Sequence, residues 1–182
     1  MTAGERILMG ADDIERALSR IALEVVERNR GPEGLLLVGV RTRGVPLAEV
    51  LADRIAALDG VSARPPVGAV DITLYRDDAS MGLADPLVGP TEIPQDVSGK
   101  TILLVDDVLY TGRTTRAALD ALMDLGRPQA VRLAVLVDRG LRELPIQADF
   151  VGKTVQTRAG ESVRVLLQDT DGRQCVVVRS AP

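Results

Sequence analysis

The sequence predicts an α/β fold in which a largely parallel sheet is flanked by helices. Short, continuous apolar runs at 35–40, 101–105 and 131–137 are typical of strands that are covered on both faces. Segments with helical spacing of apolar residues follow the first two runs, and strands that alternate with helices favour a parallel sheet. The length of 182 residues suits a single domain, and we expect one domain over 1–182.

Three segments have the spacing of amphipathic helices. The first covers 11–30 and ends at Gly31. The second opens at Pro46, a residue that is favoured in the first turn of a helix. The third runs from about 113 to 125, where Gly126 stops it.

The remaining segments read as strands, turns and one long loop. An apolar segment at 67–75 predicts another strand, and 106–112 predicts a polar turn. Short strands at 163–167 and 175–178 flank Asp171-Gly172, a pair typical of a two-residue type I′ hairpin. Residues 76–94 have no sustained period, which predicts a flexible loop that covers a site or is an idle surface excursion.

The composition excludes several classes of function. The chain has no histidine, which excludes Ser-His-Asp triads and His-ligated zinc. Its aromatic content of 2% argues against base-stacking platforms, and its one cysteine indicates a reducing compartment. The net charge of 22 − 26 = −4 argues against general affinity for nucleic acid but allows a local basic face. No signal-peptide run and no stretch near the ~20 apolar residues of a membrane span is visible, so we expect a cytoplasmic protein.

The turn after the strand at 101–105 has the content of an anion site. Asp106 and Asp107 leave the strand, and Thr111-Gly112-Arg113-Thr114-Thr115 enters the next helix. Backbone N–H groups and hydroxyls at a helix N-terminus bind phosphate, and the carboxylates accept bonds from sugar hydroxyls or help to hold a divalent cation. The alternative is a plain polar turn, but that gives no reason for two acids beside a buried strand. A Walker A loop needs a Lys that is missing here, and the Rossmann fingerprint does not follow the first strand.

An apolar strand followed by two acids, an aromatic residue and TGRTT resembles the phosphoribosyl-pyrophosphate (PRPP) signature of the type I phosphoribosyltransferases. The resemblance extends to 71–78, 105–114 and 136–145, where the chain is similar to regulators of pyrimidine operons that are also uracil phosphoribosyltransferases. It implies a type I phosphoribosyltransferase fold: a mostly parallel sheet with flanking helices, a small hood, a C-terminal hairpin, and a hood and base-binding region over about 138–182. The implied reaction transfers phosphoribose from PRPP to uracil, giving UMP and pyrophosphate. Transfer to a purine or orotate, and a nucleotide-sensing regulator without significant catalysis, are the alternatives.

The resemblance also implies roles for particular residues. Catalysis is assigned to Asp106 and Asp107, which would hold the ribose hydroxyls and Mg²⁺ (the latter mostly through PRPP), and to Arg41 and Arg43, which would meet the pyrophosphate. Arg76 would begin a loop that closes over the donor and excludes water. The full set expected to bind PRPP or UMP is Arg41, Thr42, Arg43, Gly44, Arg76, Asp106, Asp107, Val108, Leu109, Tyr110, Thr111, Gly112, Arg113, Thr114 and Thr115.

Base binding and regulation are implied in the same way. Asp138, Arg139 and Val163 would lie near uracil, whereas Phe150 reads as a core residue. The family binds a stem-loop of pyrimidine operon mRNA with help from UMP or UTP, and forms homodimers or larger homo-oligomers. The basic residues expected to contact RNA phosphates, each of which is otherwise an ordinary surface charge, are Arg20, Arg28, Arg30, Arg142 and Lys153. The chain departs from the family pattern at Leu23, Leu141 and Gln147, where histidine or a basic residue is common, and so lacks donors and positive charge there.

Overall fold

The computed structural model of the protein describes residues 5–75, 90–158 and 160–180. The elements in chain order are β1 Glu5–Met9, α1 Ala11–Asn29, β2 Leu35–Val40, α2 Gly44–Ala56, β3 Val67–Val70, β4 Thr101–Leu109, α3 Arg113–Asp124, β5 Ala130–Asp138, β6 Phe150–Thr154, β7 Glu161–Leu166, α4 Gln168–Asp171 and β8 Cys175–Ser180. No helix in the part of the chain that the structure describes is long and apolar enough to cross a membrane.

The central sheet has five parallel strands in the order β3-β2-β4-β5-β6. Alternate residues of its strands face opposite layers, since successive side chains of a strand point to opposite sides. Leu37 and Leu103 pack in the layer with α1 and α2, whereas Leu36 and Leu104 pack with α3. This double coverage explains why the strands read as continuous apolar runs, and it confirms the α/β prediction.

A smaller antiparallel sheet has the order β1-β8-β7, so the N-terminal strand joins the C-terminal hairpin. Glu5 of β1 is buried and accepts hydrogen bonds from Arg173, at 2.6 Å, and from Arg179, at 2.9 Å. These bonds, with that from Arg173 the larger cause, hold the pKa of Glu5 below its usual value. A buried carboxylate that is paired in this way ties the two ends of the chain together.

The predicted helices and most strands are confirmed to within a few residues, and the differences have local causes. β3 ends at Val70 rather than at 75, because Asp71 Oδ1 accepts the backbone N–H of Thr73 and closes a turn. The predicted polar turn at 106–112 is wrong over its first half: β4 continues to Leu109 because β5 runs alongside as far as Asp138.

The prediction of a two-residue type I′ hairpin at Asp171-Gly172 is also wrong. The last pair of the β7–β8 ladder is Leu166 with Cys175, so eight residues connect the strands, and four of them form α4. Only Gly172 has a left-handed backbone, with φ of 70°, whereas a type I′ turn needs two such residues. The strands β1 and β6 were not predicted, because neither alternates clearly between apolar and polar residues.

Candidate active site

Two adjacent carboxylates lie at the carboxyl end of β4. Asp106 is 8% exposed, and its Oδ1 accepts the backbone N–H of Asp107 at 2.9 Å. Asp107 Oδ1 accepts the N–H of Val108 at the same distance. Both side chains line a cavity of about 200 Å³, whose walls also include Val40, Arg41, Thr42, Arg43, Ile72, Val108 and Thr114. The cavity therefore joins the acid pair to the loop that follows β2.

Burial raises the pKa of Asp107 above its usual range. Part of the side-chain surface is still open, but the protein atoms that crowd the carboxylate disfavour its charged form. A hydrogen bond with Asp106 and the positive charge of Arg43 act in the opposite direction and do not cancel the effect of burial. The surroundings of Asp107 thus disfavour its ionised form, and perturbed pKa values of this kind are common at functional sites.

The N-terminus of α3 forms a second cavity beside the first. This cavity, of about 320 Å³, is lined by 108–115 and Glu143, and it shares Val108 and Thr114 with the cavity of the acid pair. Gly112 precedes the helix with φ of 93°, a conformation that side chains other than glycine rarely adopt. The opening N–H groups of α3 and the positive end of its dipole thus face a space suited to a phosphate.

The loop from Arg41 to Gly44 approaches β4 closely. A Cβ on Gly44 would lie 2.3 Å from the carbonyl oxygen of Val105, so only glycine lets α2 begin here. Arg43 is half-buried and Thr42 is exposed, and the Arg41–Thr42 peptide bond is cis. This close packing places the two arginines beside the acid pair.

Arg41 also contacts the end of the long loop. Its Nε and Nη2 donate to the carbonyl oxygen of Pro90 at 3.0 and 2.8 Å, and Glu92 lies 3.4 Å from Nη2. Glu92 pairs with Ala69 at the edge of the sheet. Arg76 and most of the predicted loop, 76–89, lie outside the described residues.

One of the predicted base-binding residues, Arg139, contacts a residue that lines the cavity at the N-terminus of α3 (the phosphate cavity). Arg139 is buried and donates to Thr157 Oγ1 at 3.1 Å and to the carbonyl of Glu161 at 2.8 Å. Its guanidinium stacks on the ring of Tyr110, 3.9 Å from the ring centre. This stacking joins the segment that precedes α3 to the carboxyl end of β5. Tyr110 is still 42% exposed.

Arg142 bridges the same two regions. Its Nη2 donates to Asp138 Oδ2 at 2.5 Å, and its Nη1 donates to the carbonyls of Tyr110 and Gly140. Its Nε donates to the carbonyl of Ile146 at 3.0 Å. All three nitrogens of the guanidinium therefore donate hydrogen bonds within the chain. Contact of Arg142 with RNA stays a prediction.

The other residues expected at the base or at RNA lie on β7, on α1 or its C-terminal cap, and on β6. Val163 is half-buried in the middle of β7, opposite Val178, and its role at the base stays a prediction. Arg20 donates to the carbonyls of Val151 and Gly152, and Lys153 donates to that of Leu8. Both line a cavity of about 340 Å³ at α1 and β6.

Arg28 pairs with Asp149 at 3.1 Å and lies 5.6 Å from the centre of the ring of Phe150, which is buried as expected. Leu23 and Leu141, two of the positions at which the sequence was expected to depart from the family pattern, are each about half exposed and add apolar surface there.

Two site contacts were missed because they join residues distant in sequence. Asp171 accepts a hydrogen bond from Arg43, and Glu143 accepts one from Arg113, each at 2.8 Å. In the sequence, the Asp171-Gly172 pair indicates only a turn. Among the described residues, no group of three or more His, Cys, Asp or Glu side chains is placed to hold a metal ion.

Comparison with known proteins agrees with this geometry. The family model described as phosphoribosyl transferase domain matches residues 9–178. The bifunctional protein PyrR of Thermus aquaticus is 59% identical over 169 residues, covering 93% of this chain and 92% of that protein. The bifunctional protein PyrR of Deinococcus radiodurans is 56% identical over 176 residues, covering 97% and 95%. A hypoxanthine phosphoribosyltransferase structure of Trypanosoma cruzi has a TM-score of 0.75 at 17% identity, covering 98% of this chain and 93% of that one, and supports the fold alone.

The matched residues include the acid pair, the N-terminus of α3 and the arginine loop, which meet at one edge of the parallel sheet. The match also agrees with the type I fold that the sequence implied. The chain belongs to the phosphoribosyltransferase family and, within it, to the PyrR proteins.

Proposed function

We propose that the protein transfers phosphoribose from PRPP to uracil and, in its nucleotide-bound form, regulates a pyrimidine operon by binding its mRNA. The observation that carries the transferase is the pair of adjoining cavities, one with Asp106 and Asp107 and one at the start of α3. Together they offer a phosphate cradle and acceptors for sugar hydroxyls in two cavities that share Val108 and Thr114. The similarity to bifunctional PyrR proteins supports uracil as the base and RNA as the regulatory partner.

In the proposed reaction, a ring nitrogen of uracil forms a bond to the anomeric carbon as the bond from that carbon to pyrophosphate oxygen breaks. The proton of the nitrogen goes to solvent. The N–H groups that open α3 hold the 5′-phosphate, and Asp106 and Asp107 accept hydrogen bonds from the ribose hydroxyls. Arg41 and Arg43 meet the charge that develops on the leaving pyrophosphate.

The base is held on the other side of the sugar. Asp138 ends β5 and Arg139 follows it, and the stack of Arg139 on Tyr110 would separate the bound base from the phosphate cavity. Positioning and charge stabilisation account for catalysis, because no step requires a nucleophilic side chain.

Two carboxylates are too few to build a complete metal site, but they fit a Mg²⁺ ion that arrives bound to the phosphates of PRPP. Mg²⁺ commonly binds through one or two carboxylates, substrate phosphates and several waters. Asp106 and Asp107 would hold it, and the ion would supply neutralisation of the pyrophosphate charge.

The transferase is tested by incubating the protein with PRPP, Mg²⁺ and an equimolar mixture of uracil, orotate and hypoxanthine, and by identifying the nucleotide formed. We expect UMP, with loss of at least about 100-fold in kcat/KM for a D106N/D107N double variant. D59N, which changes an exposed aspartate, is the matched control. Formation of a nucleotide of another base would mean that this base, and not uracil, is the substrate. If folded protein binds PRPP but forms no product, the proposed enzyme is rejected and only the role of nucleotide sensor is left.

RNA binding is supported by the basic surface at α1 and β6. Arg16, Arg20 and Lys153 line one cavity there. Arg16 pairs with Asp13 and Arg20 with Glu24, whereas Lys153 donates to the carbonyl of Leu8, so these side chains together carry a net positive charge that RNA phosphates would meet. A gel-shift assay with the operon leader stem-loop should show binding that strengthens with UMP or UTP and weakens steeply with salt. R20A and K153A should weaken binding, whereas R127A, at an exposed position, should not. Affinity that is indifferent to both salt and nucleotide would contradict the proposal.

The family also leads us to expect a homodimer or a larger homo-oligomer. Sedimentation velocity at micromolar concentration measures this directly, and a monomer at all concentrations would contradict it.

A further inference from the structure

An ion pair joins the arginine loop to the C-terminal hairpin. Arg43 Nη2 lies 2.8 Å from Asp171 Oδ1, across 128 residues of sequence. Arg43 belongs to the loop between β2 and α2, and Asp171 ends α4 in the β7–β8 connection. Both side chains are largely enclosed, at 27% and 17% exposure, so the pair is not an ordinary surface contact.

Asp171 is itself held in one orientation. Its Oδ2 accepts the backbone N–H of Leu167 at 2.9 Å, and its own N–H donates to the carbonyl of Leu167 at 2.7 Å. The bond from Leu167, and next that from Arg43, keeps the pKa of Asp171 below its usual value. The carboxylate therefore stays ionised, with one oxygen committed to the hairpin and the other to Arg43.

Arg43 at the other end of the pair faces the acid site. It lines the cavity with Asp106 and Asp107, and its charge stabilises ionised Asp107. Its Nε is buried and has no partner among the described residues. A buried donor without an acceptor is costly. A ligand oxygen that reached Nε of Arg43 would therefore give this donor an acceptor that the protein alone does not provide.

We propose that Asp171 is a positioning residue for phosphoribosyl transfer: it holds the Arg43 guanidinium at the edge of the acid cavity, where its remaining donors meet the pyrophosphate of the donor. The inference rests on the proposed function. It assigns the β7–β8 connection, which does not line this cavity, a role in binding PRPP. Without Asp171, the arginine side chain gains rotamers, and only a fraction of them present the fork to the ligand.

The test compares D171N, D171E and D169N, the last changing an exposed aspartate of the same short helix. We expect D171N to lose about tenfold to hundredfold in kcat/KM for PRPP while KM for uracil is unchanged. D171E keeps the charge and should recover part of the loss, and D169N should match the unaltered protein. A role confined to stabilising the hairpin would instead lower the melting temperature without separating the two substrates.

Calorimetric titration with PRPP, and separately with inorganic pyrophosphate, keeps this inference distinct from the choice of base. If the unaltered protein binds PRPP but makes no UMP, the proposed function fails, and weaker PRPP binding by D171N still supports the positioning role. If D171N does not fold, weaker PRPP binding by folded D171E than by D169N supports the role, and equal binding overturns it. Unchanged PRPP affinity in folded D171N overturns the inference, and so does tighter binding, which would mean that Asp171 competes with the ligand for Arg43.

Discussion

Replacing Gly44 by alanine tests whether the close approach of α2 to β4 sets the geometry of the site. The added Cβ would lie 2.3 Å from the carbonyl oxygen of Val105 and 3.4 Å from the Cα of Asp106. The nearest atoms are backbone, so no flexible side chain can move aside. β4 is hydrogen-bonded to a strand on each side, and we therefore expect the start of α2 to move instead.

The size of the movement follows from the contact distance. Ordinary van der Waals contact begins near 3.4 Å, so the helix start and the loop 41–44 must shift by about 1 Å. A misplacement of ~1 Å at a reacting centre costs up to ~100-fold in rate. Overpacking costs ~1–3 kcal/mol of folding free energy, which the better helix propensity of alanine, at most ~1 kcal/mol, offsets only in part.

The assay measures kcat/KM for PRPP and the melting temperature of G44A. We expect activity to fall by ~100-fold while the melting temperature falls by a few degrees. G10A is the matched control, because a Cβ there meets only Asp13 Oδ2, at 3.9 Å, and φ is −83°. Activity of folded G44A within about threefold of the unaltered protein would refute the argument that this approach positions the loop.

Three further predictions follow from the charges and the stack. The pKa of Glu5 is lower in the folded protein, so Glu5 contributes stability that is present above its unfolded pKa and is lost as pH falls through the folded pKa. E5Q should therefore flatten the acid side of a plot of melting temperature against pH, and an unchanged slope would contradict this. The pKa of Asp107 is raised, so the affinity for PRPP should fall as pH drops through this pKa and the carboxylate takes up a proton. Calorimetry on D107N should show weaker PRPP binding with less pH dependence. Equal pH dependence in both proteins would count against a role of ionised Asp107 in binding PRPP. Y110A should raise KM for uracil by about fivefold or more through loss of the stack with Arg139, whereas Y110F should retain it, and a Y110F defect as large as that of Y110A would argue for the hydroxyl instead.

Much of the site could be predicted from the sequence because its signals are local. The apolar run before Asp106, the acid pair and the TGRTT segment lie within fifteen residues, and their chemistry reads directly along the chain. The parallel sheet followed from continuous apolar runs, since only strands covered on both faces lack alternation. These features depend on neighbouring residues and on the period of the strand or helix.

The contacts that shape the site depended on the tertiary structure. The bond from Arg43 to Asp171 and the stack of Arg139 on Tyr110 join residues far apart in sequence, which no local pattern encodes. The length of β4 was set by its neighbour β5, and β1 formed because it completes a sheet with the C-terminal hairpin. By itself the sequence determined the chemistry at the strand ends, whereas the packing of distant segments decided how those groups are oriented, because orientation comes from partners that the chain brings together only on folding.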